Sequence, residues 1–231
     1  MFFFSSSIKV SESGLLNGYT DHHCHLLPGV DDGVQNTSMT IDLLNLMQQY
    51  GVREILFTPH VMEDMPNTPE SLRKVFDSLD FSGYDIRISL SAENMLDSFF
   101  SLERAKLLPL MEDNILVETS YLTPPYNMQE MLNEIMSSGV YPMLAHPCRY
   151  EYMGEKEYEQ LRAKRIRFQL NLPAVSGMYG PKVQKKALWL LDHDYYEITG
   201  TDTHSLRQYQ SFLDSQLPRK RVKQLEILLN K

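Results

Sequence analysis

Glu54-Ile55-Leu56-Phe57-Thr58-Pro59-His60 contains a buried-type strand, Glu54–Thr58, that is closed by Pro59 and followed at once by a histidine. Tyr141–Ala145 repeats the arrangement and is closed by His146-Pro147. Working outward, further strands are expected at Gly18–His22, Ile86–Leu90, Asn114–Glu118, Arg167–Asn171 and Glu197–Thr201. Helical spacing falls between them. Ser38–Tyr50 is amphipathic, with Gly51 as its stop signal, and Pro69–Leu79 follows. Tyr126–Ser138 ends at Gly139, then come Glu155–Lys164 and Pro181–His193, the latter with proline at a starting position. Helical segments near Gln208–Ser215 and Lys220–Leu229 finish the chain. About seven strands, each followed by helix or loop, imply an α/β fold with parallel strands and crossover helices. A closed barrel and an open doubly wound sheet share this pattern. No Gly-rich phosphate loop follows the first strand, which weakens the nucleotide-binding open sheet.

Neither an internal repeat nor a Gly/Ser-rich linker divides the 231 residues, so residues 1–231 are expected to form a single domain. Two cysteines, Cys24 and Cys148, do not make a disulfide framework. The opening MFFFSSSIKV lacks a basic region, a long apolar core and a cleavage site, and is a poor signal peptide. No run approaches the roughly 18 apolar residues of a membrane span. A cytoplasmic protein without membrane insertion is therefore expected. The formal net charge of −8 argues against general binding of a nucleic-acid backbone. An anionic substrate stays compatible with it, because three bound divalent cations would add about six positive charges at one place.

The polar residues cluster on this map. His23 and His25 end the first strand, His60 follows the second, Glu93 the third, and Glu118 ends the fourth. His146 follows the fifth, and Asp202 and His204 follow the last. In a parallel barrel these are the C-terminal strand ends, where active sites are built. Uncompensated charges converging there would be costly, and divalent cations relieve that cost. Imidazole and carboxylate ligands suit Zn²⁺, Mn²⁺ or Fe. In His23-Cys24-His25, residues two apart point to one side, so both imidazoles can serve one metal. Asp202-Thr203-His204 repeats that spacing. His22 and His193 have ordinary structural explanations, as do both cysteines, which are small apolar side chains. Val30 and Gly154 occupy the positions where an arginine would close a cysteine phosphate loop, and no G-x-S-x-G elbow occurs. If a phosphate ester is cleaved, metal-activated water must attack it.

The run from His23 to Gly33, HCHLLPGVDDG, resembles the PHP (polymerase and histidinol phosphatase) superfamily. More closely it is similar to the bacterial PHP-type protein-tyrosine phosphatases of capsule and exopolysaccharide synthesis. The likeness continues through Thr58-Pro59-His60, Ala92-Glu93, Leu116-Val117-Glu118, Ala145–Tyr150 and Thr201–His204. It implies a distorted TIM-like (β/α)₇ barrel holding three divalent cations, with Mn²⁺ first and Fe or Zn²⁺ as alternatives. By the resemblance, His23, His25, Glu93 and Asp202 would hold the first, and Glu93, Glu118 and His146 the second. Asp32, His60 and His204 would hold the third, with Asp31 as an alternative to Asp32. Arg149 matches a phosphate-binding arginine, and Arg207, three residues after His204, is a candidate for a second. The implied substrate is a phosphotyrosyl protein, the tail of a bacterial tyrosine kinase. Rivals are a histidinol-phosphate or other small-molecule phosphatase, an amidohydrolase-type barrel, a DNA-end nuclease, and a non-catalytic metal-stabilised regulatory module.

Overall fold

The structure, a computed structural model, describes residues 6–229. The aromatic run at the start of the chain, considered above as a leader, lies outside the described residues. β1 (Ser7–Lys9) leads by a short 3-10 turn and loop to β2 (Thr20–Cys24). β2 starts two residues later than expected. Gly18 has a φ of 80° and donates its N–H to the Gly51 carbonyl, so it belongs to a turn and not to a strand.

α1 (Thr37–Gln49) is capped by the Asn36 side chain, which accepts from the Met39 N–H. It buries Leu43, Leu44 and Met47, each worth about 1.5–3 kcal/mol in transfer terms. Then come β3 (Glu54–Phe57), β4 (His60–Val61), α2 (Pro69–Phe76), β5 (Arg87–Leu90) and β6 (Glu93–Met95). α3 (Leu102–Ala105), β7 (Asn114–Glu118), α4 (Met128–Ser137), β8 (Tyr141–Leu144) and α5 (Glu155–Ala163) follow. The chain closes with β9 (Arg167–Asn171), α6 (Leu172–Val175), α7 (Pro181–Asp192), β10 (Tyr196–Gly200), α8 (Leu206–Asp214), β11 (Gln216–Pro218) and α9 (Arg219–Leu229). The short α3 and α6 and the antiparallel pair β1–β11 are additions to the sequence expectation.

The fold is mixed α/β with parallel sheets. One sheet runs β10-β9-β8-β7-β6-β4 and a second runs β2-β3-β5, every neighbouring pair parallel. β3 and β4 are two pieces of one extended run broken at Thr58-Pro59, and β5 and β6 are broken at Ser91-Ala92. Hydrogen bonds continue across the breaks, from Ser91 N–H to Phe57 O (2.8 Å) and from Glu93 N–H to Pro59 O (3.1 Å). At the far edge a parallel bridge joins Cys24 to Thr203. There His25 N–H reaches Thr203 O (2.9 Å) and Asp202 N–H reaches His23 O (2.7 Å). The main core lies between strands and helices. A second, smaller cluster takes Leu56, Leu116, Met143 and Ile198 from four different strands, with Leu110 beside them. No helix of the described residues is long and apolar enough to cross a membrane.

Candidate metal centre

The strand ends converge on one buried carboxylate. Glu93, at the start of β6, places Oε2 3.2 Å from His23 Nε2, 3.4 Å from His25 Nε2 and 3.2 Å from His60 Nδ1. Its Oε1 lies 3.0 Å from His146 Nε2. Asp202 Oδ1 is 3.4 Å from both His23 Nε2 and His25 Nε2. Glu118 Oε1 is 2.9 Å from His60 Nδ1, and its Oε2 is 3.8 Å from His146 Nε2. Asp32 Oδ1 faces His60 Nε2 at 3.5 Å and His204 Nε2 at 3.4 Å. All nine side chains singled out as ligands are therefore drawn together. The two arginines differ. Arg149 reaches Asp202 Oδ2 at 2.5 Å, whereas Arg207 is exposed on α8 with no ion pair among the described residues.

The donor chemistry fits cations. His23 Nε2 and His25 Nε2 are only 3.1 Å apart. His60 Nδ1, Glu93 Oε2, Glu118 Oε1 and His146 Nδ1 are buried with no hydrogen-bond partner, although His60 Nδ1 is 2.9 Å from Glu118 Oε1. Proximity without hydrogen-bond geometry leaves His60 Nδ1, Glu93 Oε2 and Glu118 Oε1 unsatisfied, and a cation shared by these three residues would satisfy them. Three groups have ligand atoms within 4.8 Å of one another: His25, Asp32, His60 and His204; His23, His25 and Glu93; and His60, Glu93 and Glu118. They overlap the three expected sets but draw His25 and His60 into more than one.

Charge is distributed accordingly. Burial opposes ionisation of Glu93 and Asp202, yet the surrounding imidazoles, with Arg149 at Asp202, hold both well below the usual carboxylate range. Burial likewise opposes protonation of His23 and His25. Their carboxylate partners outweigh it and raise both, His25 the more. The hydrogen bond from His204 holds Asp32 at about 2.

Asp31, the alternative to Asp32 in the sequence reading, shapes the centre together with Gln169, Asn171 and Asp21, which the sequence does not single out. Asp31 Oδ2 is 2.8 Å from His25 Nδ1 and accepts from the His60 N–H, while its Oδ1 accepts from the Gly33 N–H. The adjacent aspartates thus divide: Asp31 faces the far ring nitrogen of His25, and Asp32 faces His60 and His204. Gln169 Oε1 is 3.3 Å from His23 Nδ1, and Asn171 Nδ2 donates to Asp202 Oδ2 at 3.0 Å. They lie two apart on β9, a period-two polar signal inside an apolar strand. Asp21 Oδ1 accepts from the Thr201 N–H and Oδ2 from the Thr201 hydroxyl, just before Asp202. His146 (φ 33°) and Asp202 (φ 54°) have left-handed backbones, a conformation costing about 1–3 kcal/mol each and concentrated at functional sites.

Arg149 is held between two rings, its guanidinium carbon 4.4 Å from the Tyr121 centroid and 4.7 Å from that of Tyr179. The residues left aside stay aside. His22 Nδ1 meets Thr199 O, and His193 stacks on Trp189 at 4.1 Å. Burial pushes the Cys24 thiol well up and Cys148 to about 12, so neither supplies a thiolate.

Comparison with known proteins shows the chain's family and fold. The sequence model of the family described as "Capsular polysaccharide synthesis, CpsB/CapC" matches residues 19–217. The tyrosine-protein phosphatase YwqE of Bacillus subtilis (strain 168) is 25% identical over 203 residues, covering 81% of this chain and 78% of the relative. The tyrosine-protein phosphatase CpsB of Streptococcus pneumoniae is 29% identical over 202 residues, covering 80% and 83%. A solved structure is described as "Crystal structures of YwqE from Bacillus subtilis and CpsB from Streptococcus pneumoniae, unique metal-dependent tyrosine phosphatases". It superposes with a TM-score of 0.78 at 20% identity, covering 91% of each chain. At that identity the likeness is one of fold.

Proposed function

The chain belongs to the CpsB/CapC family of capsular polysaccharide synthesis, and from that premise we propose that it is a metal-dependent tyrosine phosphatase centred on Glu93. The single observation that carries this reading is the buried Glu93 carboxylate facing four imidazoles, His23, His25, His60 and His146. His23, His25, Glu93 and Asp202 are assigned to a first divalent cation, and Glu93, Glu118 and His146 to a second. Asp32, His60 and His204 are assigned to a third. Mn²⁺ is placed first, with Fe or Zn²⁺ as alternatives. The two parallel sheets are read as arcs of one distorted (β/α)₇ barrel. The Cys24–Thr203 bridge and the small cluster of inward residues from four strands support that reading. The chain is read as one catalytic domain.

Bound divalent cations would activate water at neutral pH and neutralise phosphate oxygens. The protein's own groups do the rest. Asp31 takes the Nδ1–H of His25 and Gln169 that of His23, which turns both Nε2 lone pairs inward. Arg149, ordered by Tyr121 and Tyr179, offers a planar fork to the phosphate. Arg207 enters only as an exposed cation three residues beyond His204. The centre opens toward Asp32 and His204, whose side chains are 63% and 25% exposed, and toward Arg149, which is 21% exposed. An opening of that kind suits a phosphotyrosine carried on a protein chain, which we take to be a bacterial tyrosine kinase tail. A phenolate with a pKa of about 10 leaves readily, which lessens the need for a strong general acid.

The metal-loaded protein should hydrolyse a phosphotyrosyl peptide faster than histidinol phosphate. Glu93→Gln should lower turnover by more than about 100-fold and reduce metal content. A fully active Glu93→Gln protein would overturn the assignment.

A further inference from the structure

We propose that the groove beside Arg149 seats the polypeptide that flanks the phosphotyrosine and selects for carboxylate side chains there. The proposal rests on the phosphatase reading above. A cavity of about 580 Å³ opens from Arg149 and Tyr179, so it begins where the phosphate would be held. Tyr158, Val183 and Trp189 give it apolar walls, and Lys182, Lys185 and Lys186 of α7 give it a basic rim. In a chain of net charge −8, three lysines within five positions invert the local sign. Lys186 donates to the carbonyl oxygens of Tyr150 (2.6 Å) and Glu151 (3.4 Å). Lys182 and Lys185 are exposed and make no ion pair among the described residues. Glu151 and Glu155 also line the cavity, yet neither pairs with a lysine there. α7 carries no acidic residue in its first turn, and its one carboxylate, Asp192 at the far end, pairs with Arg221, while the lysines sit toward the end where the helix dipole disfavours cations.

Once the phosphate is bound, the peptide must leave along some surface. An extended chain advances about 3.3 Å per residue, so the first few residues beyond the tyrosine are those a groove of this size can hold. Aliphatic and aromatic portions meet the walls, and carboxylates meet Lys182 and Lys185. Rim charges of this kind act through complementarity and are sensitive to salt.

Trp189 is the chain's only tryptophan, and it reports occupancy directly. Two non-hydrolysable phosphotyrosine peptides, one flanked by Asp/Glu and the other by Asn/Gln, are titrated against the metal-loaded protein. The acidic peptide should bind about three- to tenfold tighter at low salt and shift Trp189 emission saturably. Lys182→Glu/Lys185→Glu should collapse the acidic-to-neutral ratio, a quantity that cancels any general loss of binding. Equal affinities in the parent protein, an unchanged ratio in the variant, or saturation without a Trp189 response would each overturn the proposal. Parallel turnover of p-nitrophenyl phosphate separates the two readings. If it proceeds while the peptides are not discriminated, the groove inference falls alone; if the parent protein does not turn it over, both fall.

Discussion

Gly33→Ala is the smallest change that should disable the centre. Gly33 does not have a positive φ, so alanine meets no backbone penalty there, and the cost is one of contact. An added Cβ would stand 2.2 Å from the His25 carbonyl oxygen and 2.6 Å from the His25 Cβ. Cβ contacts under 3.0 Å are not found in practice, so His25 or the loop must move by at least about 0.8 Å. Neither contacted atom is the far end of a flexible side chain, and the displacement passes to the imidazole. That ring is stacked on His204 at 3.9 Å and sits between Asp31 (2.8 Å) and His23 (3.1 Å). Overpacking of this kind costs about 1–3 kcal/mol of stability. Misplacing a reacting group by about 1 Å costs on the order of 100-fold in rate. The assay is p-nitrophenyl phosphate turnover, with metal per chain and Tm measured alongside. Gly83→Ala, in an exposed loop with nothing within 4 Å of the added carbon, is the control and should behave as the parent. A Gly33→Ala protein with parental kcat and metal content would refute the reasoning.

Other outcomes follow from the same geometry. Arg149→Lys should weaken inhibition by inorganic phosphate about tenfold with metal content unchanged, because lysine loses both the fork and the stacking on Tyr121 and Tyr179; equal inhibition would remove Arg149 from the phosphate site. In the metal-free protein, burial opposes protonation of His23, His25 and His60, yet neighbouring carboxylates raise all three. Their contribution to stability is fully present below the unfolded imidazole pKa of about 6.5 and is lost as pH rises through the raised folded values. Metal uptake should therefore release protons and tighten with pH above about 6.5, which titration calorimetry in buffers of different ionisation enthalpy checks; uptake without proton release would contradict it. Burial pushes Asp21 to about 6, and Asp21→Ala would leave the Thr201 amide unpaired. A loss of about 2–3 kcal/mol in denaturant unfolding is expected, and an unchanged midpoint would show that Asp21 does not hold the Asp202 turn.

What the sequence disclosed and what it hid divide along locality. His23 and His25 share a side of one strand, so their meeting at 3.1 Å follows from a period of two residues. The other expected ligands stand at the ends of apolar runs, where residue type alone marks them. Orientation is another matter, because it is decided by partners distant in sequence. Asp31 and Asp32 are neighbours with the same side chain. Only the turn that brings Gly33 against His25 sends one to the far nitrogen of His25 and the other to His60 and His204. Pro59, which closes the expected strand, has no N–H to give to a ladder. Its carbonyl remains an acceptor, takes the Glu93 N–H, and lets the run resume at β4. Gln169 and Asn171 lie inside the strand expected at Arg167–Asn171, and as two buried amides on one face they need partners, which only the fold supplies at His23 and Asp202. Tyr121 and Tyr179 come from loops with no periodicity, so their closing on Arg149 from both sides could not be read in advance. Ligand identity is thus written in short segments, whereas the proton arrangement that would make these side chains good ligands is a property of the folded whole. Substitutions at Asp31, Gln169 and Asn171 should therefore alter metal affinity without touching any of the nine assigned ligands.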